Sequence, residues 1–422
     1  MSDTVAAALR SITRVADLDP GDPPPGEQVT AFGSPRRALW GAGVALRIDL
    51  PAPWPDHVHR VSAALSQIRD DDEVRAPGSG PVAFGALPFD RSAPATMVVP
   101  AVVHGRTAEG ARWRTDIGPA DESSTTGRGG GTPNTGQRSG THPHRPPSFP
   151  SEVTVRSVRP AGEWCDVVAA ATARIAAGEL TKVVLARELC IETDEPIDAA
   201  TLLARLRDLY PMAMCFAIDG MVGASPELLV SRVGEIVRAH PMAGTTARTG
   251  DVDADHRRAS ELLGSAKNRS EHQITIDMVH DTLLPWCSYL DAEPSPSVVA
   301  AGPVQHLATL VEGRLSRPTP PVLDLVAALH PTPAVGGWPR AGALQVISEL
   351  EGADRGRYAG PVGWTDAGGN GAFAVGIRSV ELQGNHARLF AGVGVVEDSD
   401  PAAELAETRA KAQALLGALV RV

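Results

Sequence analysis

A chain of 422 residues with 43% hydrophobic and 21% charged residues is long enough for one large globular domain or two ordinary ones, each with a real core. Its net charge of -11, with no basic stretch interleaved with aromatics, argues against a nucleic-acid partner, because phosphate binding needs clustered lysine and arginine. Four cysteines without C-x-x-C spacing form neither a disulfide framework nor a zinc site, and no run reaches the roughly 18 apolar residues of a membrane span, so the expectation is a cytoplasmic protein with no membrane partner.

Along the chain, residues 1–115 mix short strand-like runs (GAGVALRIDLP, PVAFGALPF, ATMVVPAVV) with one helix near His57–Ile68. Residues 116–150 carry almost no Ile, Leu or Val and are rich in Gly, Ser, Thr and Pro. Such a stretch cannot bury enough apolar area to offset its ordering entropy. It reads as a low-complexity linker or insertion, and deleting residues 120–147 is expected to be tolerated. His142 and His144, in HPHRPP, read as coil rather than metal ligands.

Residues 151–422 form one continuously patterned region. Val167, Val168, Ala171 and Ile175 recur at helical spacing and predict a helix over Trp164–Ala177, with Gly178 as its stop. TKVVLARELCIE alternates as a strand that puts Lys182, Val184 and Ala186 on one face. Further strands are predicted at MAMCFAID, ELLVSR, EIVRAHP, QHLATLVEGRL, AFAVGIRSVEL and ARLFAGVGVV, and helices at Ala259–Leu284, Val322–Ala328 and Pro401–Leu419. Strands in adjacent runs imply an α+β plan of large, mostly antiparallel sheets packed face to face with helices outside.

Four segments carry candidate chemistry. Lys182 opens an apolar strand; a strand-end lysine is commonly just exposed, but an aliphatic setting would lower its pKa and make it a base. Glu227 follows Pro226 in GASPELLVSR; if buried rather than solvated, it would have a raised pKa and serve as a general acid. Glu271 precedes His272 in SAKNRSEHQITIDMVHDTL, which is not the H-E-x-x-H zinc pattern, and its lone carboxylate would suit a hard cation such as Mg²⁺. In SDPAAELAETRAKAQALLGAL, Pro401 suits a first turn capped by Ser399 or Asp400. Leu405, Ala412, Leu416 and Leu419 form its apolar stripe, while Glu404, Glu407 and Lys411 share another face. On an isolated helix that face is solvated and holds an ordinary Glu407–Lys411 pair; it gains meaning only by looking inward. AGVGVV and HPMAGTTARTG match neither a dinucleotide fingerprint nor a P-loop, yet their glycines permit close backbone approach.

Taken in order, TKVVLARE, FAIDGMVGASPELL, HPMAGTTAR, SAKNRSEHQITIDMV, QHLATLVEG, LHPTPAVGGWPR, RGRYAGPVGW, FAVGIRS and LFAGVGVVEDSDPAAELAETRAK resemble the chorismate-utilising enzymes: the anthranilate, aminodeoxychorismate, isochorismate and salicylate synthases. The resemblance covers roughly residues 160–418 and implies an anthranilate synthase component I-like fold. It implies a Mg²⁺ ion held by Glu271 and Glu407 with Glu404 nearby, and substrate carboxylate gripped by Arg378 and Lys411. It adds N–H donors from Gly392 and Gly394, a pocket lining from Gly244 and Thr245, and wall residues Tyr358 and His330. Arg248 receives no assigned role.

Within that family, members using ammonia carry glutamine at position 182 and work with a glutaminase subunit. Lysine there implies water as nucleophile and no glutaminase partner, because water needs a base. The resemblance thus implies an isochorismate synthase on the path to menaquinone or a siderophore, with Lys182 as base and Glu227 as acid. LHPTPAVGGWP and GPVAFGALPFD favour it over salicylate synthase, the main alternative; a chorismate-binding subunit without catalysis is a further one. A hydrolase built on Glu404 and Glu407 is disfavoured, because both stand on one side of a single helix. A monomer is the simpler expectation.

Overall fold

The computed structural model describes residues 5–16, 29–34, 37–120, 150–302 and 304–419. Among them the helices are α1 (His59–Gln67), α2 (Ala161–Ala176), α3 (Ala199–Leu209), α4 (Val252–Gly264), α5 (Ala266–Leu283), α6 (Val322–Leu329), α7 (Arg340–Glu351) and α8 (Pro401–Leu419). None is long and apolar enough to cross a membrane. Helix α2 buries Trp164, Val168, Ala171 and Ile175, and Gly178 ends the turn beyond it at φ +80°. Helix α8 has the expected bounds, with the Asp400 carboxylate accepting from the Ala403 N–H at 2.8 Å.

One expected helix is two. Gly264 and Ser265 break the Ala259–Leu284 pattern: the Ser265 hydroxyl accepts from the Asn268 N–H at 3.2 Å and caps a new helix, α5. Helices α3 and α7 add to those expected.

A 13-stranded sheet and a 9-stranded sheet dominate, with a three-stranded sheet beside them. Among the described residues the pairings are antiparallel except that of Leu9–Val15 with Arg69–Asp72. Both large sheets join strands from the two ends of the chain: Phe216 pairs with Phe32 in one, and Gly363 with Gly85 in the other. Residues 1–115 and 151–422 are therefore parts of one fold. Phe32, Leu39, Phe84, Phe216, Ile218 and Trp364, drawn from both sheets, pack into one cluster between them. Outside, Leu202, Leu203 and Leu206 of α3 and Leu415 of α8 cover Val222, Val380 and Leu389 of the larger sheet.

The segment expected as a linker begins later than its composition implies. Asp116 belongs to the strand Arg112–Pro119, paired with Ile12 on one side and Val102 on the other. Residues 121–149 lie outside the described residues. The strands flanking them, Arg112–Pro119 and Val153–Ser157, stand tenth and first along the larger sheet. At about 4.8 Å per strand, nine spacings come to roughly 40 Å along the sheet. Removing residues 120–147 would leave five residues, 148–152, between the two strands, roughly 20 Å of chain. Measured along the sheet, that is about half the path, so the connection is expected to need length even where it needs no particular sequence.

Candidate active site

The site lies where the chain passes from one large sheet to the other. Pro226 and Glu227 connect Met221–Ser225 of the larger sheet to Leu228–Val233 of the smaller. Nearby, Gly376–Arg378 make the return crossing from Gly371–Val375 to Ser379–Gln383, and the Arg378 carbonyl accepts from the Ala224 N–H at 3.0 Å. Arg378 sits at φ +53°, a left-handed conformation uncommon for a side-chain-bearing residue and frequent at functional positions. A third change of sheet precedes Met242–Ala247. There Gly244, at φ +74°, occupies a register shift between Ala243 and Thr245, the kind of bulge that re-aims a strand beside a site.

These crossings enclose a cavity of about 230 Å³, below the roughly 300–1,000 Å³ of drug-sized pockets and on the scale of a small ring. Lys182, Glu227, Gly244, Thr245, Glu271, Tyr358, Arg378, Gly392, Gly394, Glu404, Glu407 and Lys411 all border it. Lys182 and Glu227 are its most deeply buried charged groups, at 2% and 3% exposure.

Glu227 owes its chemistry to that burial. Desolvation pushes its carboxyl up to about 8, against the opposing pull of a Met242 backbone hydrogen bond and of Lys182 and Arg378. The group is thus protonated near neutrality. Lys182 does not meet the aliphatic surroundings expected for it: its Nζ lies 2.7 Å from Glu271 Oε1. Burial pushes the Glu271 carboxyl up, but Lys182, Lys411 and Lys267 together outweigh it and hold the group below its ordinary value. Helix α8 turns its charged face inward, so Lys411 Nζ pairs with Glu407 Oε1 at 2.6 Å and donates to the Gly392 carbonyl at 2.8 Å. Burial raises Glu404, whose Oε1 accepts from the Ser399 hydroxyl at 2.8 Å.

The glycines of His386–Val395 are required by space. A Cβ on Gly394 would stand 3.0 Å from both Glu271 Oε1 and Lys182 Cε, and one on Gly392 would stand 3.0 Å from the Tyr358 hydroxyl. The Gly392 main chain already bonds that hydroxyl, which leaves its N–H less free for a ligand than the resemblance implied. The phenol stacks on Phe390 at 5.2 Å between ring centroids, and burial pushes its pKa up.

His330 is not a wall residue. It is buried beside Trp54 and Phe89, outside the cavity lining, and its Nε2–H donates to the Phe89 carbonyl at 2.9 Å. Burial drives its pKa down to about 3, so the ring is neutral and ties the N-terminal part of the fold to α6. Arg248 also lies off this cavity, paired with Asp255 at 3.2 Å.

Further cavity residues stand outside the expected set, His306 and Lys267 among them. His306 stands opposite Thr245 in the register of its strand; its Nδ1 is 3.1 Å from the Thr245 hydroxyl, and its Nε2 accepts from Arg378 at 3.4 Å. Burial, then Arg378 and Lys411, keep that ring neutral. Lys267 lies one helical turn before Glu271 on α5, and that spacing put both on one face from the outset.

The donor set fits a hard divalent cation. Glu271, Glu407 and Glu404 offer only oxygen, while the one imidazole in the lining is engaged by Thr245 and Arg378. Among the described residues no three acidic, His or Cys side chains converge as a closed metal site. An ion here would draw ligands from water or substrate, as Mg²⁺ commonly does.

Residues 30–420 match the model of the chorismate binding enzymes, and the chain, with its facing sheets and a cavity of paired carboxylates and ammoniums at their crossings, belongs to that family. It is 36% identical over 371 residues to the isochorismate synthase DhbC of Bacillus subtilis (strain 168), with 85% of each chain covered. The structure of MenF, the menaquinone-specific isochorismate synthase of Escherichia coli, superposes with a TM-score of 0.78 at 25% identity, covering 98% of this chain and 95% of that one. Anthranilate synthase component I of Streptococcus pneumoniae TIGR4 shares the fold, with a TM-score of 0.70 at 20% identity over 95% and 94% of the two chains.

Proposed function

We propose that this chain is an isochorismate synthase that converts chorismate to isochorismate, with Lys182 as general base and Glu227 as general acid. The observation that carries the reading is the pairing of a buried amine and a buried, protonated carboxyl on one small cavity. Lys182 takes a proton from the water that attacks C2. The ring double bonds shift, the C4–O bond breaks, and Glu227 delivers its proton to the departing hydroxyl. Water is consumed and released, so the reaction is an isomerisation that ends with Lys182 protonated and Glu227 ionised. Each such transfer is typically worth about 10²–10⁴-fold.

To act as base Lys182 must enter as the free amine, so its pair with Glu271 opens before the proton moves. Arg378, beside neutral His306, meets a substrate carboxylate, and Lys411 supports it from α8. Glu271 and Glu407 would hold Mg²⁺, with Glu404 alongside; when bound, the ion would polarise the substrate carboxylate as a Lewis acid. With water as nucleophile the enzyme works without a glutaminase subunit, as a cytoplasmic monomer serving menaquinone or siderophore synthesis.

Incubating the purified protein with chorismate and Mg²⁺ tests the reading: isochorismate should accumulate without salicylate fluorescence or pyruvate. Substantial pyruvate would instead mark a salicylate synthase. Tight chorismate binding without turnover under any metal condition would mark a non-catalytic binding subunit.

A further inference from the structure

Four cations border the cavity: Lys182, Lys267, Arg378 and Lys411. Two are committed to carboxylates, Lys182 to Glu271 at 2.7 Å and Lys411 to Glu407 at 2.6 Å. Arg378 has no carboxylate partner among the described residues; its guanidinium meets His306, and its Nε is buried without a hydrogen-bond partner. The fourth, Lys267, is exposed on the first turn of α5 and forms no ion pair among the described residues. It therefore stands at the rim, while Arg378 lies deeper.

We propose that Lys267 is a capture residue: it draws a small dianion to the mouth of the cavity. The inference rests on the chorismate reading of the site. A protein of net charge -11 repels a dianion at long range, so entry requires a local field of opposite sign. The two committed lysines supply little of it, because each faces a carboxylate. The field at the mouth then falls chiefly to Lys267, which acts on Glu271 and Glu404 through space but pairs with neither, and whose ammonium sits on a flexible stem. A charge at a rim acts mainly on association and on salt dependence, and one that stays near the bound ligand also lowers KM. Lys267 touches no reacting atom, so kcat should be nearly indifferent to it.

Steady-state kinetics with chorismate for wild type, Lys267→Met, Lys267→Arg and Lys267→Glu test this, at low and at roughly 0.3 M salt, where charges beyond a few ångströms are screened. Lys267→Met is expected to raise KM roughly five- to tenfold at low salt with kcat held within about twofold. The gap should narrow in salt, Lys267→Arg should restore most of the loss, and Lys267→Glu should be worse than Lys267→Met. Because Lys267 is exposed and without an ion pair, thermal melting should be unchanged, which separates lost capture from lost fold. Wild-type turnover with an identical KM and salt slope in Lys267→Met would overturn the assignment. So would a fall in kcat at constant KM, which would put Lys267 in the chemistry. Absence of turnover by the wild type would instead overturn the reading of the site on which the assignment rests.

Discussion

Replacing Glu227 by glutamine keeps the shape of a side chain that is only 3% exposed and removes its ability to ionise. In the folded protein burial lifts this carboxyl from its ordinary 4.5 to about 8. Between those two pH values the fold holds a proton that the unfolded chain releases, so protons bound are fewer in the unfolded state. Stability then falls as pH rises through this window, and Glu227 contributes no such slope below about 4.5 or above about 8. At about 1.4 kcal/mol per pH unit, the wild type should lose on the order of 3–4 kcal/mol between pH 5 and 8 through this group alone. Glu227→Gln has no proton to lose, and its amide oxygen can still accept from the Met242 main chain. Guanidinium denaturation of both proteins at pH 5, 6, 7 and 8 reads the difference directly: the variant should gain on the wild type by several kcal/mol across the series. The same variant should lose about 10²–10⁴ in kcat, and the wild-type rate should decline as pH rises through about 8 and the acid ionises. A stability difference that is flat with pH, or a glutamine variant that turns over normally, would refute the reasoning.

Other outcomes follow from the same geometry. Lys182→Gln should abolish water addition while leaving chorismate and Mg²⁺ binding largely intact, and calorimetric loss of binding rather than of rate would count against the base assignment. Glu271→Ala and Glu407→Ala should each remove activity together with its dependence on Mg²⁺, read by titrating the metal. Gly394→Ala pushes a methyl to 3.0 Å from the Lys182–Glu271 pair and should cost about 1–3 kcal/mol in overpacking along with most of the activity, checked by melting and kinetics. Deleting residues 120–147 should impair folding, whereas replacing 121–149 by about 15 flexible residues, enough for roughly 40 Å of sheet, should be tolerated; soluble, active protein from the full deletion would contradict the span inferred along the sheet.

Much of the site was legible because its residues lie at local spacings that constrain direction. Glu404, Glu407 and Lys411 share a helix face at i, i+3 and i+7, and alternation puts Lys182 and Val184 on one side of their strand, so each set borders the cavity together. Helix α8 was readable to the residue from its proline, cap and stripe. What escaped was set by distant pairing. Lys182 lies in an aliphatic sequence, yet its partner is Glu271, 89 positions further along the chain. His330 sits among motif residues, but its contacts with Trp54 and Phe89 come from the other end of the chain. His306 enters the site through its register opposite Thr245, which no local pattern fixes. The span between Arg112–Pro119 and Val153–Ser157 depends on a strand order that composition does not encode. By contrast, the break at Gly264–Ser265 had a local signal, a serine cap inside a periodic run.

The central claim is that a base at 182 directs solvent water to one face of the ring while an acid at 227 discharges a hydroxyl elsewhere on it. Turnover of unlabelled chorismate in ¹⁸O-enriched water, with the product analysed by mass spectrometry and NMR, tests it most directly. The account predicts isochorismate with one solvent oxygen at C2 and no release of pyruvate. Product retaining only its original oxygens would contradict it.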